Sequence, residues 1–559
     1  MAADAKVDRK ITEKKEDKTR AWLKNPYNLA LAAILIFAIA IRLYYFFKTA
    51  NQPLWWDEAD YMAYAKNLAG YSTYWTVTAQ HNSLFPFMAA VFFMFGLSEA
   101  AIKFLLGIIP SILTVYLTYE ICILMYNDKR IALISTFLMA VFWELLFNSM
   151  RFHVEGPGLL FGLLAIYVFF KGYERREKIF GAIDAKWAIP LTVLLVILTY
   201  ASRRGYFVFG LFFLCYMLLT KNFKEMIRDK YNWIAFGLLV ISIFIVEKFV
   251  FAAPIISIAG TYYTGAPFSL LPLKVFSSYF ENIFNPNLGV LMYLFWIGMA
   301  AVIIKLFFMF DKLKESENKE ARGNLFTFLM IAIVLAYFLL YQRRINEFGE
   351  PRWYYPLLLG SLVCISQGTL LVTDFIKKYS KYIAVGLLVI LIGFGGYYEL
   401  KHADLIINDK LSSFEGIKEA SLYIKEISSG DDEIISMTAS QPAYYAERKV
   451  INPMDTLNKG AALTLDEFLG EVEKNEKARY MIVTFSEPNN PPWMVKMNVA
   501  QDPKTGEYRY VSWEIPFMNT TLDFVSNKQD IKQATRYGNL TFSLLMIKQD
   551  SFVYEIARA

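Results

Sequence analysis

The chain of 559 residues is 56% hydrophobic and 17% aromatic, and only 19% of its residues are charged. Soluble domains contain about 45–50% apolar residues, so this composition argues against an ordinary soluble protein and favours a polytopic membrane protein. The net charge of +6 resides in short Lys/Arg clusters between apolar runs, which is typical of membrane topology and predicts no nucleic-acid partner. The three cysteines, which lie inside apolar runs, predict no disulfide framework, and the three distant histidines argue against a His-rich metal site.

The chain begins with a polar, Lys/Arg-rich segment that shows no signal-peptide cleavage pattern. We expect residues 1–26 to form a cytoplasmic tail that precedes an uncleaved membrane anchor. The run 84–97 is shorter than the roughly 20 residues that cross a bilayer, so it predicts a helix at the outer membrane interface. Longer apolar runs predict eleven spans, at 27–47, 100–126, 131–149, 156–172, 187–202, 205–220, 232–252, 288–310, 324–342, 355–374 and 382–399.

The loops between the predicted spans test this count. With the N-terminus inside, eleven spans place the Lys/Arg-rich loops on the cytoplasmic side, as the positive-inside rule requires. We therefore predict a multi-pass plasma-membrane protein with a cytoplasmic N-terminus and an extracytoplasmic C-terminal region. One outside loop, 343–354, is basic against this trend through Arg343, Arg344 and Arg352, and anion binding would explain the exception.

From about residue 401 the composition becomes that of a soluble domain. Helical spacing alternates there with strand-like stretches, the helices at 413–428, 442–447 and 465–474 and the strands at 433–437, 480–485, 508–515, 541–547 and 552–556. The expected organisation is a tail at 1–26, a mainly α transmembrane bundle at 27–400 with interfacial helices in its first outside loop, and an extracytoplasmic α/β domain at 401–559.

Three carboxylates follow the first span, where tryptophans and tyrosines mark a membrane–water interface. They are Asp57, Glu58 and Asp60, and burial toward lipid would be costly for each of them. If 57–67 is helical, Asp57, Tyr61 and Tyr64 share one face. A carboxylate on such an aromatic face suits a general base or a metal ligand, whereas the alternative is a solvated loop that ends a helix.

Two further turns at the outer surface carry charges. The turn 149–157 places Arg151 and Glu155 one helical turn apart, either as a local ion pair or as a second carboxylate facing the cavity of Asp57. The turn 199–206 carries Arg203 and Arg204, which either extend to the interface or form a phosphate clamp. A substrate with an acid–base centre beside a lipid-borne phosphate would need both kinds of group.

The order of these motifs resembles the GT-C glycosyltransferases, in particular the protein O-mannosyltransferases and lipid A aminoarabinose transferases. The similarity covers most of residues 27–375 and rests on Asp57-Glu58, Gln80-His-Asn-Ser-Leu-Phe-Pro86, Arg151-x-x-x-Glu155, Arg203-Arg204-Gly205 and Arg352-Trp-Tyr-Tyr-Pro356. The chain departs from the family in three places: Glu155 replaces an Asp, Arg203-Arg204 stands where a Lys is frequent, and Asn82-Ser83 replaces a Pro-Pro pair.

The resemblance implies a polyprenyl-phosphate sugar (dolichyl or undecaprenyl) as donor, a protein, lipid or glycan as extracytoplasmic acceptor, and inversion at the anomeric carbon. It implies that Asp57 is the general base and that Glu58 orients Asp57 or the acceptor. Glu155 is then a further catalytic carboxylate. No cofactor motif is present, and a divalent metal ion held by Asp57 and Glu155 stays an open alternative.

The resemblance also implies a set of substrate-binding residues. Arg203, Arg204 and Arg352 would hold the donor phosphate and stabilise its charge as it leaves. The other expected members of the substrate-binding set are Tyr61, His81, Arg151 and Tyr355.

Three other functions remain as alternatives. Oligosaccharyltransferases carry a Trp-Trp-Asp-Tyr-Gly signature in the soluble domain, whereas here Trp-Trp-Asp occurs only in the first outside loop and is followed by Glu58. A lipid or solute transporter usually has midplane polar residues and repeated halves, and the sequence shows neither. The third alternative is a binding or scaffolding role for the C-terminal domain alone.

Overall fold

The computed structural model describes residues 22, 24–76, 82–251, 289–315, 318–341, 351–487, 490–501 and 508–559. The chain divides into two compact units, which we call the helical unit (Met1–Ala50 with Ala100–Asp409) and the α/β unit (Asn51–Glu99 with Lys410–Ala559). The first outside loop thus groups with the C-terminal segment, whereas the sequence analysis placed it in the 27–400 domain. The boundary near residue 400 also lies later, because the last long helix continues to Asp409.

The helical unit is built mainly from apolar helices, in the order that the apolar runs predict. Their bounds are Pro26–Thr49, Glu99–Tyr126, Lys129–Val141, Trp143–Ser149, Glu155–Glu174, Ala185–Ser202, Arg204–Thr220, Phe223–Arg228, Lys230–Phe249, Val290–Phe308, Lys319–Tyr341, Tyr355–Lys377 and Lys381–Asp409. Asn25 begins the first of them by accepting a bond from the Tyr27 N–H at 3.0 Å.

The helix lengths confirm a multi-pass membrane protein. Within the described ranges, nine helices are long and apolar enough to cross a bilayer, and Lys129–Val141 with Trp143–Ser149, bent by 51°, would be a tenth. The remaining predicted span, 205–220, corresponds to Arg204–Thr220, an apolar helix of less than full spanning length. Leu84–Met94 forms the predicted short helix.

The helix Tyr355–Lys377 lies at the centre of the helical unit, and its residues from Tyr355 to Leu370 are buried. It packs backbone to backbone against the helix Val290–Phe308. A Cβ on Gly298 would lie 1.7 Å from the Cys364 carbonyl oxygen, and a Cβ on Gly368 would lie 2.1 Å from that of Leu294. Only glycine permits such an approach, which maximises dispersion contacts between the helices.

The α/β unit contains two sheets and confirms the predicted α/β class. The strands are β1 Glu433–Ser436, β2 Val450–Ile451, β3 Ala478–Thr484, β4 Lys496–Gln501, β5 Tyr508–Ile515, β6 Thr520–Asp523, β7 Lys528–Asp530, β8 Ala534–Tyr537, β9 Leu540–Lys548 and β10 Ser551–Arg558. One sheet has the order β2-β1-β3-β10-β9-β8, with β1 parallel to β2 and β3, and the other has the order β4-β5-β6-β7.

The helices of the α/β unit come from both parts of the chain. They are Trp56–Leu68, Leu84–Met94, Glu415–Ile427, Ser440–Ala446, Pro453–Thr456 and Leu465–Lys474. The last has the bounds that the sequence predicts, because Thr464 and Glu467 form a reciprocal capping box at its start.

Hydrogen bonds and an ion pair hold the helix Trp56–Leu68 against the helix Ser440–Ala446. The Leu54 N–H donates to the Tyr445 hydroxyl at 2.8 Å, and Lys66 Nζ donates to the Tyr444 carbonyl at 3.1 Å. Lys66 also pairs with Glu447 at 2.7 Å and lies 4.1 Å above the Tyr444 ring. These contacts, between residues nearly 400 positions apart in the chain, explain why the first outside loop belongs to this unit.

The ion pair of Lys66 with Glu447 predicts a contribution to stability that is lost in acid. Burial alone would raise the pKa of Glu447, but the bonds from Lys425 and Lys66 outweigh it and hold that pKa below its usual value. A depressed carboxyl pKa stabilises the folded state above the unfolded pKa of about 4.3, and this stabilisation is lost as pH falls through the folded pKa. We expect Glu447→Gln to flatten the fall in melting temperature below about pH 4.3.

Thermal unfolding of the purified protein across pH checks this expectation. Glu419→Gln is the matched control, because the pair of Glu419 with Lys548 is solvent-exposed and contributes little. If the melting temperature falls as steeply at low pH in Glu447→Gln as in the wild type, other carboxylates control this fall.

Candidate functional site

Cationic side chains surround one buried carboxylate in the helical unit. Glu155, only 1% exposed, begins the helix Glu155–Glu174, and Arg203 donates to its Oε1. Arg352 Nε lies 3.6 Å from the same oxygen, and His153 Nδ1 lies 3.9 Å from Oε2. Arg352 also bonds to His153 through Nη1. We call these four residues the Glu155 cluster.

Close helix packing brings the members of the cluster together. A Cβ on Gly158, one turn after Glu155, would lie 3.1 Å from both Ser202 Cβ and the Tyr206 ring. The helix that begins at Glu155 therefore approaches the end of Ala185–Ser202, directly before Arg203. The Tyr206 hydroxyl, near the start of the helix Arg204–Thr220, donates to the Arg352 carbonyl at 2.9 Å. This bond holds the backbone of Arg352 close to Arg203.

The cluster has more positive than negative charge. Two guanidinium groups face one carboxylate, so the sum is +1 even with a neutral His153. A buried carboxylate is stable only when it is paired, and Glu155 meets this condition. The Arg203 side chain is 26% exposed and stacks 5.0 Å from the Trp353 ring, which fixes its plane. A planar, preorganised guanidinium suits an oxyanion such as phosphate.

Arg204 lies outside the cluster, although it was predicted to hold the same phosphate as Arg203. Its Nη2 pairs with Glu247 at 3.5 Å, and its guanidinium lies 3.9 Å from the Phe251 ring. The Tyr200 hydroxyl donates to the same Glu247 carboxylate. The cause is the extended backbone of Arg203 (φ −157°, ψ 124°), because adjacent side chains point apart in extended chain.

The predicted helical spacing of Arg151 and Glu155 is wrong. The helix Trp143–Ser149 ends before Arg151, and a turn at 150–154 separates it from the helix that begins at Glu155. Arg151 is buried there, 2% exposed. The turn packs tightly on Gly107, where a Cβ would lie 2.5 Å from the Ser149 carbonyl oxygen.

Tyr355 was expected to bind substrate, but its ring is fully buried, 1% exposed. Asn148 Nδ2 donates to its hydroxyl at 3.0 Å, and the hydroxyl donates to the Glu144 carbonyl at 3.3 Å. Tyr355 therefore supports the cluster from inside the helical unit, three residues after Arg352.

The carboxylates of the first outside loop lie in the α/β unit, on the helix Trp56–Leu68 that the sequence predicts at 57–67. Glu58 Oε2 accepts the Trp55 N–H at 3.0 Å and so caps the helix start. Asp60 accepts from Trp75 Nε1 at 2.6 Å. Asp57 is half-buried in the first turn, whereas Tyr61 is 5% exposed and packs into the core.

Some sequence predictions lie outside the described residues, namely those for His81, Arg343 and Arg344. Within the described ranges, no group of three or more His, Cys, Asp or Glu side chains is arranged to hold a metal ion. A metal at Glu155 is also electrostatically disfavoured, because guanidinium groups already face that carboxylate. Metal binding at Asp57 stays a prediction.

Two residues of this region were not predicted from the sequence. His153 lies two residues before Glu155 and Trp353 directly follows Arg352, so their positions beside predicted site residues were the available signal. His153 contacts Arg352 and Trp353 contacts Arg203 across about 150 to 200 residues of chain, and no local pattern reveals such contacts.

No protein-family model matches the chain, and no curated protein matches it in sequence. Solved structures do match. The Archaeoglobus fulgidus oligosaccharyltransferase in its apo form aligns with a TM-score of 0.57 and 13% identity, over 90% of this chain and 76% of its own. The same enzyme tethered to an acceptor peptide with an NVT sequon aligns with a TM-score of 0.53 and 13% identity, over 88% of this chain and 74% of its own.

The second matching protein is ArnT from Cupriavidus metallidurans. Its structure bound to undecaprenyl phosphate aligns with a TM-score of 0.54 and 12% identity, over 84% of this chain and 96% of its own. At such identities the similarity establishes the fold. These two proteins are members of one superfamily, the one whose motifs the sequence resembles. The chain therefore has the fold of the GT-C superfamily of membrane glycosyltransferases.

Proposed function

We propose that this protein is an integral-membrane glycosyltransferase of the plasma membrane that moves a sugar from a polyprenyl phosphate to an extracytoplasmic acceptor, with inversion at the anomeric carbon. The observation that carries the proposal is the Glu155 cluster, in which two arginines converge on one buried carboxylate within a GT-C fold. The excess positive charge suits the phosphate of a lipid-linked donor.

The cluster acts on the leaving group. As the bond between the sugar C1 and the phosphate oxygen lengthens, negative charge grows on the phosphate. Arg203 and Arg352 stabilise this charge without reorganising, because Glu155 already holds both guanidinium groups in place. Glu155 is then a positioning residue for the arginines rather than a metal ligand.

The acceptor hydroxyl is activated by Asp57. The oxygen of the acceptor hydroxyl attacks the sugar C1 from the face opposite the phosphate. The new bond between this oxygen and C1 forms as the bond between C1 and the phosphate oxygen breaks, and polyprenyl phosphate leaves. The hydroxyl proton passes to the Asp57 carboxylate, and such general-base catalysis contributes a factor of about 10²–10⁴. Glu58 fixes the helix start from which Asp57 extends.

A second candidate is oligosaccharyl transfer to a peptide asparagine. The observation in its favour is that the TM-scores of 0.53 and 0.57 to the archaeal oligosaccharyltransferase are as high as those of 0.54 and 0.52 to ArnT. The two functions differ in donor and acceptor: a lipid-linked oligosaccharide and an Asn-x-Thr peptide for the second, a polyprenyl-phosphate monosaccharide for the first.

Radiolabelled donors distinguish the two functions. Purified protein in nanodiscs is incubated with polyprenyl-phosphate mannose, glucose or aminoarabinose and extracted membrane acceptors, and in parallel with lipid-linked oligosaccharide and an Asn-x-Thr peptide. We expect label transfer from a monosaccharide donor, and transfer only in the peptide reaction would establish the second candidate. Chelation by EDTA, tested in the same reactions, shows whether a divalent ion takes part.

Arginine variants test the role of the cluster. We expect Arg203→Ala and Arg352→Ala each to lower transfer by a factor of about 10²–10³, the loss typical of one preorganised charge-stabilising donor. Arg130→Ala is the matched control, because Arg130 is likewise an ion-paired arginine, here with Asp128 and Asp374, but lies at the opposite end of the bent span from the turn 150–154. Unchanged transfer in both cluster variants would overturn the assignment.

A further inference from the structure

One membrane span of the helical unit is broken. The helix Lys129–Val141 ends and Trp143–Ser149 begins at Phe142, whose ψ of 115° is not helical, and the two halves are bent by 51°. A break exposes carbonyl groups at the end of the first half and N–H groups at the start of the second. Inside a membrane protein such groups must find partners in the protein.

The carbonyl end of the break meets a buried arginine. Arg42, 0% exposed on the helix Pro26–Thr49, donates through Nη1 to the Ala140 carbonyl at 3.0 Å. It also donates through Nε to Ser111 Oγ at 2.8 Å, which fixes the direction of the guanidinium. A cation thus lies at the end of the first half-helix.

The amide end of the break meets a buried glutamate. Glu399, 1% exposed on the helix Lys381–Asp409, accepts the Trp143 N–H at 3.2 Å through Oε2. The His402 ring, one turn further along the same helix, makes an edge contact with Trp143 at 4.7 Å. A buried carboxyl group thus lies at the start of the second half-helix and accepts one of its free N–H groups.

The Arg42 cation lies where the helix dipole favours it, at a helix C-terminus, and the Glu399 oxygen satisfies an N–H group at a helix N-terminus. Burial of two ionisable side chains among membrane helices is nevertheless costly. Arg42 Nη2 and Glu399 Oε1 are each buried without a hydrogen-bond partner, so local capping does not satisfy these groups completely. Ionisable side chains buried among membrane helices are rare and usually functional, which indicates a further role for Arg42 and Glu399.

The second half-helix leads to the Glu155 cluster. Its residue Asn148 holds the Tyr355 hydroxyl at 3.0 Å, and Tyr355 follows Arg352 by three residues. The same half-helix continues into the turn at 150–154 that carries His153, the partner of Arg352. The direction of the helix Trp143–Ser149 therefore influences the position of Arg352 in two ways, through Asn148 and Tyr355 and through His153.

We propose that Arg42 and Glu399 are positioning residues for donor binding: they hold the two ends of the broken span at their bend, so that the second half-helix fixes Arg352 in the Glu155 cluster. The inference rests on the proposed function, because it assigns Arg352 to the donor phosphate. Neither residue touches the substrate.

Kinetics of Glu399 variants test the proposal. Glu399→Gln keeps an oxygen for the Trp143 N–H, whereas Glu399→Ala removes it. We expect Glu399→Ala to raise the donor KM about tenfold, since misplacing a binding group by about 1 Å costs up to about 10²-fold. The acceptor KM stays unchanged, and Glu399→Gln recovers most of the loss. Assays are run well below the melting temperature of each variant.

A second variant covers the case in which Glu399→Ala does not fold. Arg42→Lys keeps the charge but cannot reach Ser111 and Ala140 together, and we expect a folded protein with a raised donor KM. Tyr126→Phe is the control, because it removes a buried 2.7 Å bond to Thr327 that has no link to the break. It should lower the melting temperature without changing the donor KM.

Direct binding separates failure of this proposal from failure of the proposed function. The Kd for undecaprenyl phosphate is measured in nanodiscs for each variant, and it should rise with the donor KM. Wild-type protein that neither transfers sugar nor binds this lipid would overturn the proposed function itself. Wild-type protein that does both, with unchanged donor KM and Kd in folded Glu399→Ala and Arg42→Lys, would overturn the positioning role alone.

Discussion

We expect replacement of Asp57 by Asn to lower sugar transfer by a factor of about 10²–10⁴, the range that a positioned general base contributes. Asn has nearly the same shape and keeps the half-buried position in the first helical turn, but it cannot take the acceptor proton at neutral pH. Initial rates with labelled donor give the loss. We expect donor affinity, measured as binding of undecaprenyl phosphate, to stay unchanged, because the proposed phosphate ligands are the arginines of the Glu155 cluster and not Asp57.

Asp60→Asn is the matched control for this prediction. Asp60 lies three residues away on the same helix, and an amide oxygen can still accept the bond from Trp75 Nε1. We expect its transfer rate to stay near that of the wild type. Transfer that survives in Asp57→Asn would assign the base to another carboxylate, and Glu155 would then be tested next.

Replacement of Gly298 by Ala destabilises the helical unit by more than the roughly 1–3 kcal/mol that is typical of overpacking. The new methyl carbon would lie 1.7 Å from the Cys364 carbonyl oxygen and 2.9 Å from the Gly368 nitrogen. Backbone atoms cannot turn away as a flexible side chain can, so the helices Val290–Phe308 and Tyr355–Lys377 must separate. Thermal unfolding in detergent should show a large fall in melting temperature.

Gly386→Ala provides the comparison for Gly298→Ala. Gly386 also lies within a long apolar helix, Lys381–Asp409, but a Cβ there meets no atom within 4 Å. Since Ala has the higher helix propensity, this variant should match or exceed the stability of the wild type. Equal melting temperatures for the two variants would mean that the two helices do not pack as closely as the glycine contacts indicate.

Separation of these two helices also affects the proposed activity. The helix Tyr355–Lys377 follows directly after Arg352 and Trp353, so its displacement moves two contacts of the Glu155 cluster. Stability and transfer are therefore linked through one helix. Activity loss in Gly298→Ala is interpretable only when the folded fraction is measured in the same sample.

The sequence alone determined those helices and strands whose residue pattern lies within one continuous segment. Long apolar runs predicted the membrane helices because lipid requires about 20 apolar residues in one helix. The helix Leu465–Lys474 was predicted from its helical spacing with the bounds observed, and the capping box that fixes its start joins residues only three positions apart. The carboxylates and arginines of the candidate site were predicted because charged side chains are costly when they are pushed toward lipid, so that their presence beside membrane helices suggests a function.

Tertiary structure alone decided how these segments pair. The apolar run 131–149 predicts one span, but Phe142 breaks it, because Arg42 and Glu399 from the first and last membrane helices supply the partners that a broken backbone needs. Adjacent Arg203 and Arg204 look equivalent in sequence, yet they pair with Glu155 and Glu247. Such pairings join residues far apart in the chain, and their energies depend on burial and direction, which the order of residues does not encode locally.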